Sequence, residues 1–216
     1  MGQRRYARSG VFEVSRQLAR AIDFITFLLL QSSRGLIPPF AHLRKAVFVE
    51  LGPGPTKFAF LKRKVFAEVH FLDQDEFGKP DPNLRICNLE TCDSVEGILS
   101  LLGIEADKPV FFFADHCLEH LSDEVVLGLL RSIKRMRYSA CFRVPNVMST
   151  VGLKNFKGDP THRTAFSEDL REKISGWGFR LIPWIRWYRL QVPALSKEAK
   201  MVRAEEIALC YNGESN

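Results

Sequence analysis

The chain has 216 residues, a net charge of +6, and 46% hydrophobic residues. That is enough apolar side chain for one ordinary domain with a modest extension, and it excludes a largely disordered chain. The five cysteines (Cys87, Cys92, Cys117, Cys141 and Cys210) are odd in number and form no CxxC pair. This excludes a disulfide scaffold and a zinc-finger spacing, so reduced thiols, a cytoplasmic location and no metal site are expected.

Residues 1–45 hold eight basic groups (Arg4, Arg5, Arg8, Arg16, Arg20, Arg34, Arg44 and Lys45) against two acids, Glu13 and Asp23, which accounts for the whole charge excess. A solvated basic helix explains this, and contact with an anionic partner is the sharper alternative. From 11 to 31 the apolar positions recur at helical spacing. Ser32-Ser33-Arg34-Gly35 and then Pro38-Pro39 end that helix. The apolar run 24–30 starts too late and lacks the cleavage site of a secretory leader, and it is too short to span a bilayer. Residues 1–45 are therefore expected to form a helical cap or lid on a domain at 46–216. Weak membrane-surface contact through the apolar face is the alternative.

After Lys45 the pattern alternates. Short apolar runs at 46–49, 69–72, 84–87, 110–113, 139–144, 179–187 and 206–211 predict seven strands. Helical stretches are predicted at 56–64, 95–102, 124–136 and 167–176, the last with Ser167 as its cap. Strands alternating with helices imply an α/β domain with a mainly parallel sheet. Such sheets bind ligands at the carboxyl ends of their strands.

The first strand end reads Glu50-Leu51-Gly52-Pro53-Gly54-Pro55. Two glycines in a strand-to-helix turn let a ligand approach the backbone, because no Cβ intervenes. The second reads Asp73-Gln74-Asp75, where an acid can accept bonds from vicinal ribose hydroxyls. Each end alone fits an ordinary turn or a helix cap, so the pairing carries the signal.

Together these segments resemble the class I, Rossmann-like S-adenosylmethionine-dependent methyltransferases. Glu50-Leu51-Gly52-Pro53-Gly54 is similar to the family's first motif and Phe71-Leu72-Asp73 to its ribose-binding acid. Cys87-Asn88-Leu89-Glu90 is similar to the adenine-framing segment. Asp115-His116-Cys117-Leu118-Glu119-His120-Leu121 resembles the LEHL segment of a small-molecule subgroup. Arg143-Val144-Pro145-Asn146, His162-Arg163-Thr164-Ala165-Phe166-Ser167 and Gly178-Phe179 extend the match. One departure is Thr56, where a third glycine is expected. The resemblance covers roughly residues 46–216.

The resemblance implies a seven-stranded, mainly parallel sheet flanked by helices, with S-adenosyl-L-methionine as cofactor and a methyl group passed to an oxygen of a small molecule. It gives the cofactor's amino group to Glu50, backbone contact to Gly52, Pro53 and Gly54, the ribose to Asp73 with Gln74 beside it, and the adenine to Asn88 and Leu89. Asp115 and His116 then flank the methionine part. If the acceptor is a hydroxyl, His is the fitting base. His116 and His162 are the catalytic candidates, while His120 with Glu119 reads as support for the following helix. Trp177, Trp184, Trp187 and Tyr188, with Arg186 and Arg189, fit either an acceptor pocket or edge packing.

Two alternatives stay open: a nucleic-acid methyltransferase and a non-catalytic S-adenosylmethionine-binding protein of the same fold. Against the first, the segment after the fourth strand lacks the Asn-Pro-Pro-aromatic pattern of base methylation, so nucleic acid is not the expected partner. A nicotinamide fingerprint is excluded by Lys57 at its third glycine.

Overall fold

The computed structural model describes residues 22–54, 59–76, 81–92, 94–190 and 200–213. The predicted helix at 11–31 is seen from residue 22 as α1, which runs over 22–33. Gly35 at φ +67 closes it, with the Leu36 N–H donating to the Gln31 carbonyl. There follow α2 (Phe40–Leu43), β1 (Val47–Leu51), α3 (Ala59–Val65), β2 (Glu68–Asp73), β3 (Leu84–Ile86) and α4 (Val95–Leu102). Then come β4 (Val110–Asp115), a 3-10 turn η1 (Leu118–His120), α5 (Asp123–Met136), β5 (Ser139–Pro145), α6 (Thr150–Gly158), α7 (Glu168–Ser175), β6 (Arg180–Leu190) and β7 (Lys200–Tyr211).

The seven strands form one sheet in the order β3-β2-β1-β4-β5-β7-β6. The pairings among β1 to β5 are parallel, and β7 runs antiparallel to both β5 and β6. The order reverses between β1 and β4, which opens a crevice at their carboxyl ends.

Side chains alternate across the sheet because successive Cβ atoms point to opposite faces. On β1, Val47, Val49 and Leu51 join the core under α4, α5 and α7, while Phe48 joins the core under α1, α2 and α3. On β4, Phe112 and Ala114 face the first core, and Phe111 and Phe113 the second. Both faces are therefore apolar, as a covered parallel sheet requires.

Helix α4 shows how locally the sequence acts. Val95, Ile98, Leu99 and Leu102 form its buried stripe, the Ser94 hydroxyl accepts the Gly97 N–H, and Gly103 at φ +68 ends it. Ser167 sits at the N-cap of α7 but its side chain makes no capping bond. Helix α6 lies where no helix was predicted, since Gly152 is its only buried residue. A Cβ on Gly152 would meet the Asn146 carbonyl oxygen at 2.1 Å, so close backbone packing fixes that residue. Helix α1 lies directly on the sheet, with Phe24, Phe27 and Leu28 buried in the second core. Among the described residues, no helix is long and apolar enough to cross a membrane.

Candidate cofactor and catalytic site

The two strand-end turns meet. Gly52 at φ +61 donates its N–H to the Leu72 carbonyl at 2.8 Å, and a Cβ there would lie 2.6 Å from Cys117 Sγ. Both backbone and space thus demand glycine. Burial pushes the Cys117 thiol well up, leaving it a neutral packing group. Gly54 at φ +60 donates its N–H to Asp73 Oδ2 at 2.9 Å, and a Cβ there would meet nothing within 4 Å, so the space above the turn is open. Asp73 Oδ1 accepts the Gln74 N–H at 2.8 Å, and the Asp73 carbonyl accepts the Cys87 N–H at 2.8 Å. One buried acid therefore ties the ends of β1, β2 and β3 together. Pro53 is half-buried and Gln74 exposed. Asn88 is exposed with its Oδ1 accepting the Glu90 N–H, and Leu89 beside it is buried.

Beneath the glycine turn lies a charge network that sequence reasoning missed. The sequence assigns Glu50 to a cofactor's amino group; the fold gives its Oε2 to Lys62 Nζ of α3. Both side chains are buried, and the ammonium lies 5.3 to 5.6 Å from the rings of Phe71, Phe24 and Phe48. Burial raises the Glu50 pKa and lowers that of Lys62, opposed in each case by the partner's charge. Arg143, buried on β5, donates from Nη1 to Asp23 Oδ2 of α1 and from Nη2 to Asp115 Oδ2, both at 2.7 Å. Its guanidinium also lies 4.9 Å from the Phe27 ring. The available signal was a cation inside an apolar run, as in Ala140-Cys141-Phe142-Arg143-Val144.

The candidate bases lie just past β4 and in the loop after α6. His116 adopts φ +56 just past β4, a conformation rare for a side-chain-bearing residue. Its Nδ1 lies 2.9 Å from Glu119 Oε1 and its Nε2 lies 3.0 Å from Glu206 Oε1, both carboxylates being buried. Burial alone would depress the imidazolium, but the two carboxylates outweigh it and push the pKa up to about 10. With each ring nitrogen held by a buried carboxylate, His116 is placed as a clamp between Glu119 and Glu206.

His162 is enclosed: its ring stacks on Phe156 at 5.1 Å and meets His120 edge-on at 4.6 Å. Its Nδ1 donates to the Phe156 carbonyl at 2.9 Å, which makes it a backbone-bonded loop histidine. Glu119 and His120 support that loop and not the start of α5. The Glu119 carbonyl accepts the N–H groups of Arg163 and Thr164, and His120 Nδ1 bonds Thr161 Oγ1. The Ser122 N–H at the head of α5 goes to Glu90 Oε1 instead.

Trp177 and Trp184 do not share a pocket. Trp177 packs on the first core and Trp184 on the second, the latter meeting Phe27 at 4.9 Å. The side chains of Arg186, Trp187, Tyr188 and Arg189 lie outside the described set.

No protein-family model matches the chain, and no curated protein matches it in sequence. Solved structures do match. A SAM-dependent methyltransferase from Archaeoglobus fulgidus is similar with a TM-score of 0.53 at 17% identity, over 86% of this chain and 99% of that one. A SAM-dependent methyltransferase from Mesorhizobium loti gives 0.47 at 13% identity, over 85% and 97% of the two chains. Magnesium protoporphyrin IX methyltransferase from Synechocystis PCC 6803 with bound SAH gives 0.46 at 12% identity, over 91% and 83%. The Archaeoglobus likeness, together with the sheet order, shows that the chain has the class I methyltransferase fold. At these identities the likeness is one of fold.

Proposed function

We propose that the protein is an S-adenosylmethionine-dependent methyltransferase that methylates an oxygen of a small molecule. The observation that carries this reading is the joined pair of strand-end turns. Gly54, with open space above it, is bonded through its N–H to Asp73 at the switch point of the sheet. When bound there, the cofactor supplies a methyl group on a positively charged sulfur.

The chain's own residues hold and orient. Gly54 offers backbone with open space where a Cβ would be, and Gly52 and Pro53 shape the turn that presents it. Asp73 takes the ribose hydroxyls through lone pairs its two backbone donors leave over, with Gln74 at its edge. Asn88 and Leu89 flank the adenine. Asp115, fixed by Arg143, lies beside the methionine part, and His116 contributes a fixed positive group next to it. Glu50 acts through its pairing with Lys62, holding the floor of the turn. Methyl transfer is an in-line displacement, so placing the acceptor and excluding water are the protein's main tasks. The small-molecule oxygen follows from the likeness of residues 115–121 and 162–167 to the LEHL subgroup.

The test is turnover. Protein is incubated with methyl-labelled S-adenosylmethionine and, separately, with pooled hydroxylated small molecules or with RNA. Label in the small-molecule pool with matching S-adenosylhomocysteine supports the reading. Label in RNA alone overturns the acceptor class, and no label in either pool favours a non-catalytic binding protein.

A further inference from the structure

The loop after α6 folds back onto η1 and brings Glu119, His120 and His162 together. One side-chain donor atom from each lies within 4.8 Å of the others. Glu119 is fully buried, and its Oε2 has no hydrogen-bond partner among the described residues. A buried, unmatched carboxylate oxygen is costly, so it marks a place where a positive group belongs.

The two rings are set for ligation. The Phe156 carbonyl can only accept, so His162 Nδ1 carries the proton and the ring's lone pair sits on Nε2. Thr161 Oγ1 donates to Asp159 Oδ1 at 2.6 Å, so it accepts from His120 Nδ1 at 2.9 Å, and the His120 lone pair also sits on Nε2. Ligating histidines fix their free nitrogen through just such outer bonds. Further bonds hold the loop: Arg163 Nη1 to Glu90 Oε1 at 2.8 Å, and Thr164 Oγ1 to the Leu121 carbonyl at 2.7 Å.

We propose that the Glu119 carboxylate, His120 Nε2 and His162 Nε2 form a binding site for a divalent transition-metal ion of the zinc type. Two imidazoles and a carboxylate suit such ions, whereas Ca²⁺ and Mg²⁺ take oxygen sets. Bonds of about 2.1 Å bring neighbouring ligands to roughly 3–3.5 Å. His162 Nε2 lies 4.0 Å from the Glu119 carboxylate, measured at Oε1, a side-chain adjustment away from that spacing. Glu119 Oε1 keeps its bond to His116 as an outer contact. Three protein ligands leave positions for water or for an oxygen of a bound molecule. The neighbouring group of Asp115, His116 and Glu206 carries no such site, because both His116 nitrogens already face carboxylates. No metal-ligand spacing is readable along the chain, because His120 and His162 meet only through the fold.

The full chain, stripped with a chelator, is titrated with Co²⁺ and then Zn²⁺ without any cofactor. The expected result is one Co²⁺ per chain with visible ligand-field bands, displaced by Zn²⁺, and binding weakened at least tenfold by His120→Ala and by His162→Ala. Melting of each metal-free variant is recorded, and His120→Ala, which loses only a half-exposed ring, keeps the test usable if His162→Ala unfolds. No stoichiometric binding to the wild type, or equal affinity in folded His120→Ala, overturns the site. S-adenosylhomocysteine affinity is measured separately, so failure here is distinct from failure of the methyltransferase reading.

Discussion

Lys62 and Glu50 form an ion pair beneath the glycine turn, with side chains only 3% and 6% exposed. Such a pair contributes little net stability over an apolar pair of the same shape, yet breaking it strands a buried charge. Lys62→Met is therefore expected to cost about 3–5 kcal/mol, and adding Glu50→Gln should recover part of that. Chemical denaturation of the two single variants and the double one checks this. Strictly additive losses would show that the pair is not coupled.

The two glycines of the turn separate stability from binding. Gly52→Ala combines a left-handed backbone cost of about 1–2 kcal/mol with overpacking of about 1–3 kcal/mol against Cys117. Gly54→Ala meets nothing, so only the backbone cost of about 1–2 kcal/mol applies, while its methyl enters the open space proposed for the cofactor. Urea midpoints should rank Gly52→Ala as the less stable, and folded Gly54→Ala should still lose S-adenosylhomocysteine binding.

Asp23 joins α1 to the strand ends through Arg143. Removing a hydrogen bond to a charged group costs about 1.5–3 kcal/mol. Asp23→Ala should speed amide exchange in residues 22–33 while the α5 amides keep their protection. Equal exchange in α1 of both proteins would mean that the apolar contacts of Phe24 and Phe27 hold the helix alone.

His116 stands between two buried carboxylates, Glu119 and Glu206. His116→Ala leaves two buried carboxylates facing one another without the ring between them, and is expected to destabilise the fold by less than the about 3–5 kcal/mol of a fully buried pair, because the ring is 34% exposed. A melting temperature equal to wild type would remove the clamp assigned to this ring.

Strands β1, β2, β4 and β5 were legible because each is a short, mainly apolar run closed by Gly, Asp or Pro, and α4 because its cap, stripe and terminal glycine all lie within ten residues. Helix α6 was hidden, having no apolar stripe to read. The glycine turn and Asp73 could be found in sequence because each sits at a strand end. Their charged surroundings could not: His116 meets Glu206 across 90 positions, and Lys62 reaches Glu50 only once α3 has packed on β1. The His116 side chain was visible as a strand-end residue with Glu119 three positions on, but its second carboxylate, Glu206, is brought to it only by the fold.

Asp73 and the Gly52–Gly54 turn are proposed to hold S-adenosylmethionine. Calorimetric titration of the wild type and of Asp73→Ala with S-adenosylmethionine and S-adenosylhomocysteine tests it most directly. Micromolar binding to the wild type is expected, weakened at least tenfold, about 1.4 kcal/mol, in the variant. Absence of binding to folded wild-type protein, or equal binding by folded Asp73→Ala, would contradict it.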